Sequence, residues 1–192
     1  MRVLMTAFGP FADYDQNPSE MVLEYARRHC DFGDCVVEWA VLPVVFEAVD
    51  SFITGLQSST YDVLIHTGVA VGSMQPQIEL CARNQVKGSD TNGIARNGVI
   101  EANGPALLQS PMANHILNLC ETSDLAIETS KDAGAYLCNY IYYKSLRCLG
   151  QQTGVVFIHL ADFMSNPNAR SLESQAVLLL KLLDFVRELD FT

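Results

Sequence analysis

Leu125-Ala-Ile-Glu-Thr129, then Lys131-Asp-Ala-Gly-Ala-Tyr-Leu-Cys-Asn139, then Gly154-Val-Val-Phe-Ile-His159 form the run whose reading decides the fold. The first piece reads as a strand. The second is a glycine-containing turn that opens a helix over Tyr136 to Leu149. The third reads as another strand. The same alternation extends outward in both directions. Toward the N-terminus, Val3 to Met5, Val36 to Val44 and Asp62 to His66 read as strands. Pro18 to His29, Phe46 to Leu56 and Pro111 to Glu121 read as helices between them. Asn17 precedes Pro18, and Ser110 precedes Pro111, which is the pattern of an N-cap followed by proline at the first helical position. Toward the C-terminus, Ser171 to Leu189 carries Leu172, Ala176, Leu179, Leu180 and Leu183 at helical spacing. Alternating strands and helices predict an α/β domain around a largely parallel sheet.

The stretch from Asn84 to Asn103 breaks this rhythm. It is polar, rich in glycine and without a clear period, so it reads as a long loop of the kind that is often functional or mobile.

The chain has 192 residues, enough for one domain with a sizeable core, and residues 1–192 are expected to form a single domain. A net charge of −10 argues against nucleic acid and anionic membrane as partners, because both call for basic patches. Met1-Arg-Val-Leu-Met-Thr6 enters a strand-like run at once and does not read as a signal peptide. No apolar stretch reaches membrane-spanning length. The six cysteines are Cys30, Cys35, Cys81, Cys120, Cys138 and Cys148. With no signal peptide and no Cys-x-x-Cys, they read as free thiols in a reducing compartment, with no metal site among them.

In open α/β sheets, ligands bind beyond the carboxyl ends of the strands. Four segments end strands in this way: Thr6 to Phe11, Gly68 to Gly72 leading on to Glu79, Lys131 to Cys138, and His159. A parallel sheet brings them to one edge. Cys138 stands in the first turn of a helix, where unpaired N–H groups favour a thiolate. A thiol, an imidazole and a carboxylate together suffice for nucleophilic catalysis on a carbonyl. Residue type and spacing alone leave each with a structural reading as well. Cys138 also reads as a buried helix cysteine, His159 as a hydrogen-bonded strand end, and Glu79 as a solvated charge. Phe8 and Phe11, flanking Gly9-Pro10, also read as caps on the core. His66, inside a strand, reads as structural, and His29 and His115 as helix surface or packing residues. Cys81 lies near Glu79 but lacks a helix-opening glycine turn.

Taken together, these segments resemble the pyroglutamyl peptidase type I (pyrrolidone-carboxylate peptidase) family of cysteine peptidases. Thr6-Ala-Phe-Gly-Pro-Phe11 with Asn17-Pro-Ser19 is similar to that family's opening signature. Glu79-Leu-Cys-Ala-Arg-Asn84 resembles its glutamate motif, and Asp90 with Gly93 its Asp-Asn-x-Gly loop. Asp132-Ala-Gly-Ala-Tyr-Leu-Cys-Asn139 resembles the cysteine motif, and Phe157-Ile-His159 the histidine motif. Five motifs in order are far more specific than one.

The resemblance implies a three-layer α/β/α sandwich around a largely parallel twisted sheet. It implies an enzyme that removes an N-terminal pyroglutamyl residue from peptides, with Cys138 as nucleophile, His159 as general base and acid, and Glu79 orienting His159. Phe8 and Phe11 are then apolar walls, Asn17 a loop anchor or ligand contact, and Val69, Tyr136 and Leu137 further substrate contacts. It also implies no cofactor, a cytoplasmic location, and a homo-oligomer, either dimer or tetramer. This sequence departs from the usual family pattern in several places. Ala7 stands where glycine is usual, Leu80 where many bacterial members have arginine, and Val69 where many have glutamine. Leu160-Ala161 follows His159 where a proline is usual. Two other functions fit the same residues: an amidase for another small lactam or cyclic imide, and a non-catalytic lactam-binding protein.

Overall fold

A computed structural model of the chain describes residues 1–12, 14–120, 125 and 127–187. Its centre is a sheet of six strands: β1 (Arg2–Phe8), β2 (Val36–Leu42), β3 (Val63–Ala70), β4 (Gln77–Glu79), β9 (Glu128–Ser130) and β10 (Gly154–Ala161). Their order across the sheet is β2-β1-β3-β10-β4-β9. Every neighbouring pair is parallel except β10 with β4, which is antiparallel.

The period-2 alternation of side chains along each strand divides the core in two. Val3, Met5 and Ala7 of β1 face one side with Val156, Ile158 and Leu160 of β10. Helices α1 (Pro18–His29), α3 (Pro111–Cys120) and α5 (Leu172–Arg187) cover that face. Leu4 and Phe8 face the other side with Val155 and Phe157, under α2 (Phe46–Leu56) and α4 (Leu137–Leu149). The expected three-layer α/β/α arrangement is therefore present.

The helix starts follow the sequence signals. Asn17 Oδ1 accepts the Ser19 N–H at 3.0 Å, and Pro18 opens α1. Ser110 Oγ accepts the Ala113 N–H at 2.9 Å at the start of α3. That helix is described to Cys120, and the expected last residue, Glu121, lies outside the described residues, as does Leu189 of the last helix. Val45, before α2, offers no side-chain cap. Asp90, far along the chain, supplies one instead, accepting the Phe46 N–H at 3.0 Å.

Three expectations need correction. Strands β1, β3 and β10 each run beyond the expected ends, to Phe8, Ala70 and Ala161. Ladder pairing carries them through residues, such as Thr6 and Gly68, that do not extend an apolar run. The segment expected as a strand at Leu125 to Thr129 forms its described strand at Glu128–Ser130, and Ala126 within it lies outside the described residues. The stretch from Asn84 to Asn103 is not a structureless loop. It holds an antiparallel hairpin, β6 (Val86–Ser89) with β7 (Ala95–Gly98), turning at Asp90 to Gly93. Asp90 Oδ1 accepts the N–H groups of Asn92 and Ile94, and Gly93 has a φ of +78°. Such a hairpin is held by backbone pairing and turn chemistry, and has no alternating apolar face to show in sequence.

Candidate active site

Cys138 is the second residue of α4. The chain reaches it through a tight turn in which Asp132 Oδ1 accepts the Gly134 N–H at 3.1 Å. Gly134 has a φ of +79°, a conformation that glycine adopts without steric cost. Tyr136, before the helix, gives no side-chain cap, so the first N–H groups of α4 have neither an intrahelical partner nor that cap. Fully buried Asn139 fixes the helix start from behind. Its Oδ1 accepts the Arg83 N–H, and its Nδ2 donates to the carbonyls of Arg83 and Gln85, each at 2.8 Å. Arg83 belongs to β5 (Cys81–Arg83), which pairs with β8 (Leu107–Gln109) beside the main sheet. The sulfur lies over Gly68 of β3. A Cβ at that glycine would come within 2.8 Å of Cys138 Sγ and 3.0 Å of the Phe157 ring, so only glycine lets the thiol come this close.

His159 pairs in register with Gly68 across the β3–β10 ladder. The antiparallel pairing of β4 sets Glu79 opposite Phe157, one step diagonally from His159 on the same face. The resulting bond, His159 Nδ1 to Glu79 Oε1, is 2.6 Å long. It leaves the other ring nitrogen for the hydrogen bond with Cys138. Glu79 is fully buried, and Tyr142 holds its backbone carbonyl from α4 at 2.8 Å. Phe157 packs on the imidazole with ring centroids 4.8 Å apart. Burial by itself lowers the proton affinity of His159. The hydrogen bonds to Cys138 and Glu79, and the Coulombic attraction of both for a protonated ring, more than reverse this, and the pKa rises to about 10.

A cavity of about 230 Å³ opens in front of the sulfur. Phe8 and Phe11 after β1, and Gly68, Val69 and Val71 at the end of β3, line it. So do Ala133 to Leu137 ahead of Cys138, together with Cys138 and His159. Of the residues singled out in sequence, Phe8, Phe11, Asn17, Val69, Tyr136, Leu137, Cys138 and His159 all line this one cavity, and Glu79 stands directly behind His159. Asn17 is 1% exposed and its side chain is already engaged. Besides capping α1, its Nδ2 donates to the Gly9 carbonyl at 2.9 Å, so its place is that of a loop anchor.

Several contributors escaped the sequence reading. Gly68, whose missing side chain admits the thiol, is one. Val44 is another, while Val71 and Ala133 to Ala135 lie in segments the sequence singled out without their being named as cavity residues. The hairpin is a further one. Lys87 N donates to the Ala135 carbonyl at 2.6 Å, and the Tyr136 hydroxyl donates to the Ser89 carbonyl at 2.8 Å. Gly88 lies flat on the Tyr136 ring, where a Cβ would approach to 2.9 Å. The Asp-x-x-Gly turn signal was the one trace of this in sequence. Ala161, two residues past His159, has its N–H and carbonyl both bonded to the buried side chain of Gln175. Among the described residues, no group of three or more His, Cys, Asp or Glu side chains is placed to hold a metal ion. No helix of the described residues is long and apolar enough to cross a membrane.

Comparison with known proteins bears on the same residues. The sequence model of the pyroglutamyl peptidase family matches residues 1–168. The chain belongs to the pyroglutamyl peptidase family. The match takes in every residue that lines the cavity and Glu79 behind it, and ends before α5. Among relatives, the pyrrolidone-carboxylate peptidase of Halalkalibacterium halodurans is 30% identical over 166 residues, 82% of each chain. The pyroglutamyl-peptidase 1 of Rattus norvegicus is 27% identical over 178 residues, 88% of this chain and 83% of its own. In structure, the chain is similar to the pyrrolidone carboxyl peptidase of Thermus thermophilus with a TM-score of 0.83 at 27% identity, covering 95% of this chain and 99% of that one.

Proposed function

We propose that this chain is a cysteine peptidase that hydrolyses the N-terminal pyroglutamyl residue from peptides. Cys138 is the nucleophile, His159 the general base and then acid, and Glu79 the group that orients His159. The observation that carries this reading is the line Glu79–His159–Cys138, which ends in a small apolar cavity at the start of α4. Family membership supports the substrate class.

The chemistry follows from these positions. The Cys138 sulfur attacks the pyroglutamyl carbonyl carbon, and the thiol proton resides on His159. The carbonyl oxygen takes up the negative charge, and the unpaired N–H groups of the first turn of α4 stabilise it. As the C–N bond breaks, His159 gives its proton to the departing amine and a thioester remains. Water then yields a proton to His159 and its hydroxyl attacks the thioester. Pyroglutamate departs and the thiol is restored. Glu79 holds the imidazole in the tautomer and orientation these transfers need.

Pyroglutamate is a flat, neutral lactam, so its pocket calls for apolar walls and a few aimed hydrogen bonds rather than a counter-charge. Phe8 and Phe11 supply the walls, and the backbone near Val69, Tyr136 and Leu137 supplies the polar contacts. A site that pairs the lactam carbonyl rejects proline, which lacks it. We take residues 1–192 as one catalytic domain, and the protein as a cytoplasmic homo-oligomer, dimer or tetramer. Family resemblance alone supports location and assembly.

The deciding experiment is release of the fluorescent amine from pyroglutamyl-aminomethylcoumarin under reducing conditions. Wild type should turn it over, while Cys138→Ala should not, and the prolyl analogue should be inert with both. A folded, reduced wild type without turnover would move the protein to the amidase or lactam-binding reading. A Cys138→Ala variant with wild-type turnover would remove Cys138 as nucleophile.

A further inference from the structure

Asp162 lies three residues beyond His159, just past the end of β10, and is fully buried. Its carboxylate gathers three segments. Oδ2 accepts the Tyr14 hydroxyl at 2.7 Å and the Gly72 N–H at 3.0 Å. Oδ1 accepts the Ser165 N–H at 3.1 Å. The Asp162 N–H itself donates to the Ser73 carbonyl at 3.0 Å.

Two of these segments shape the cavity. Tyr14 is tied to Phe11, whose carbonyl accepts the Tyr14 N–H at 3.0 Å and whose ring stacks on the Tyr14 ring with centroids 5.3 Å apart. Ala12, next to Phe11, has a φ of +49°, a left-handed conformation disfavoured for any residue with a side chain, so this turn needs an outside hold. Gly72 closes the turn that follows β3, and Val71 in that turn and Val69 near the end of the strand line the same cavity as Phe11. One buried charge thus fastens both walls to the strand that bears His159. The reacting groups are held by other means: His159 by Glu79 and the β10 ladder, Cys138 by Asn139 and α4.

We propose that, on the functional reading above, Asp162 is a positioning residue for substrate binding: it fixes the separation of the Phe11 wall from the Val69–Val71 wall, and so sets affinity for the lactam ring without entering the bond-breaking steps. Loss of the carboxylate takes from Tyr14 and Gly72 the acceptor they share, while the Tyr14 hydroxyl keeps its contact with Ser165 Oγ at 2.9 Å. Loss of the Tyr14 hydroxyl releases the Phe11 wall alone.

The test compares wild type with Asp162→Ala, Asp162→Asn and Tyr14→Phe in three assays. These are hydrolysis of pyroglutamyl-aminomethylcoumarin, the rate of Cys138 alkylation by iodoacetamide, and protection from that alkylation by free pyrrolidone, which yields a dissociation constant without turnover. Both KM and the pyrrolidone constant should rise about tenfold in Asp162→Ala and about threefold in Tyr14→Phe, while kcat and unprotected alkylation stay within about twofold of wild type. Asp162→Asn, which keeps an acceptor, should recover most of the affinity. Unchanged KM and protection in the variants overturn the proposal, as does a fall in kcat and alkylation with KM unmoved. Should Asp162→Ala not fold, Tyr14→Phe, which removes one hydroxyl, decides the matter. A wild type that is protected by pyrrolidone but does not turn over would overturn the peptidase reading alone, and the protection constants would still judge Asp162. A wild type with neither property would overturn both.

Discussion

His66 and His159 stand on the neighbouring strands β3 and β10, face α4 on the same side of the sheet, and are both buried. Their proton affinities move in opposite directions. His66 lies between two hydroxyls, with Nδ1 2.7 Å from Thr6 Oγ1 and Nε2 2.8 Å from Ser145 Oγ. Neither partner carries charge, so burial dominates and the pKa falls to about 3. His159 suffers the same burial penalty but meets a carboxylate and a thiol, and its pKa rises to about 10. The difference teaches that burial alone makes a histidine a neutral strut. An acid-base group at neutral pH requires ionisable partners placed at its two nitrogens.

The comparison predicts its largest contrast in catalysis. His159→Gln should lower kcat/KM on pyroglutamyl-aminomethylcoumarin by about 10⁴-fold or more, whereas His66→Gln should leave it within about threefold. Equal losses from the two substitutions would erase the distinction between strut and acid-base group. Next in size is Glu79→Gln, which keeps the shape beside His159 and removes the charge. Turnover should fall by about 10²- to 10³-fold, and the NMR titration of His159 should move to lower pH. A His159 titration unmoved by Glu79→Gln would mean that Cys138 alone holds the proton on the ring.

Stability against pH offers a third test, because the two shifts have opposite sign. The folded state depresses the pKa of His66 to about 3, below the unfolded value of about 6.5. Below that unfolded value the unfolded chain binds a proton that the folded chain refuses. The contribution of neutral His66 is therefore complete above about pH 6.5 and shrinks with acidification, by roughly 2 kcal/mol at pH 5. His159 is raised, so its contribution is complete below the unfolded pKa and is lost as pH climbs toward about 10. Urea unfolding of wild type and His66→Gln at pH 7 and pH 5 should show wild type losing the more stability on acidification. Parallel losses in the two proteins would show that His66 is not the group responsible.

The alternation of strands and helices was legible from local signals: apolar period, proline after a capping residue, glycine in a turn. The three-layer arrangement came from the family resemblance. Helices α1 and α2 begin and end at the expected residues. The cysteine, the histidine and the glutamate were also legible, through their motifs. What the sequence hid is whatever depends on chain segments meeting from afar. The reversed strand β4 is three residues long, too short to show a period, yet its antiparallel pairing is what sets Glu79 beside His159. Gly68 looked like the end of a strand, and its role shows only when Cys138, on a helix, is laid across it. The hairpin at Val86 to Gly98 shows no apolar alternation because backbone pairing and the Asp90 turn hold it, and it meets Tyr136 and the start of α2 through the Ser89 carbonyl and the Asp90 carboxylate. Asp162 is one acidic residue among many until Tyr14 and Gly72 converge on it.

The test most specific to the strut leaves turnover alone. Ser145 on α4 serves His66 Nε2 in the buried interior, and its side chain makes no contact with the cavity. Ser145→Ala leaves that ring nitrogen facing an apolar methyl in place of its hydroxyl partner. A buried polar atom left unpaired costs about 1–3 kcal/mol, so the unfolding free energy at pH 7 should fall within that range. If His66 is neutral and merely structural, the substitution should not change the pH dependence of turnover, since the His159 pair lies on its own bonds to Glu79 and Cys138. A Ser145→Ala variant of normal stability but shifted pH profile would mean that protons pass between the two histidines. Phe157 argues against such a path. Its ring packs beside both, with centroids 6.4 Å from His66 and 4.8 Å from His159, and offers no group to carry a proton.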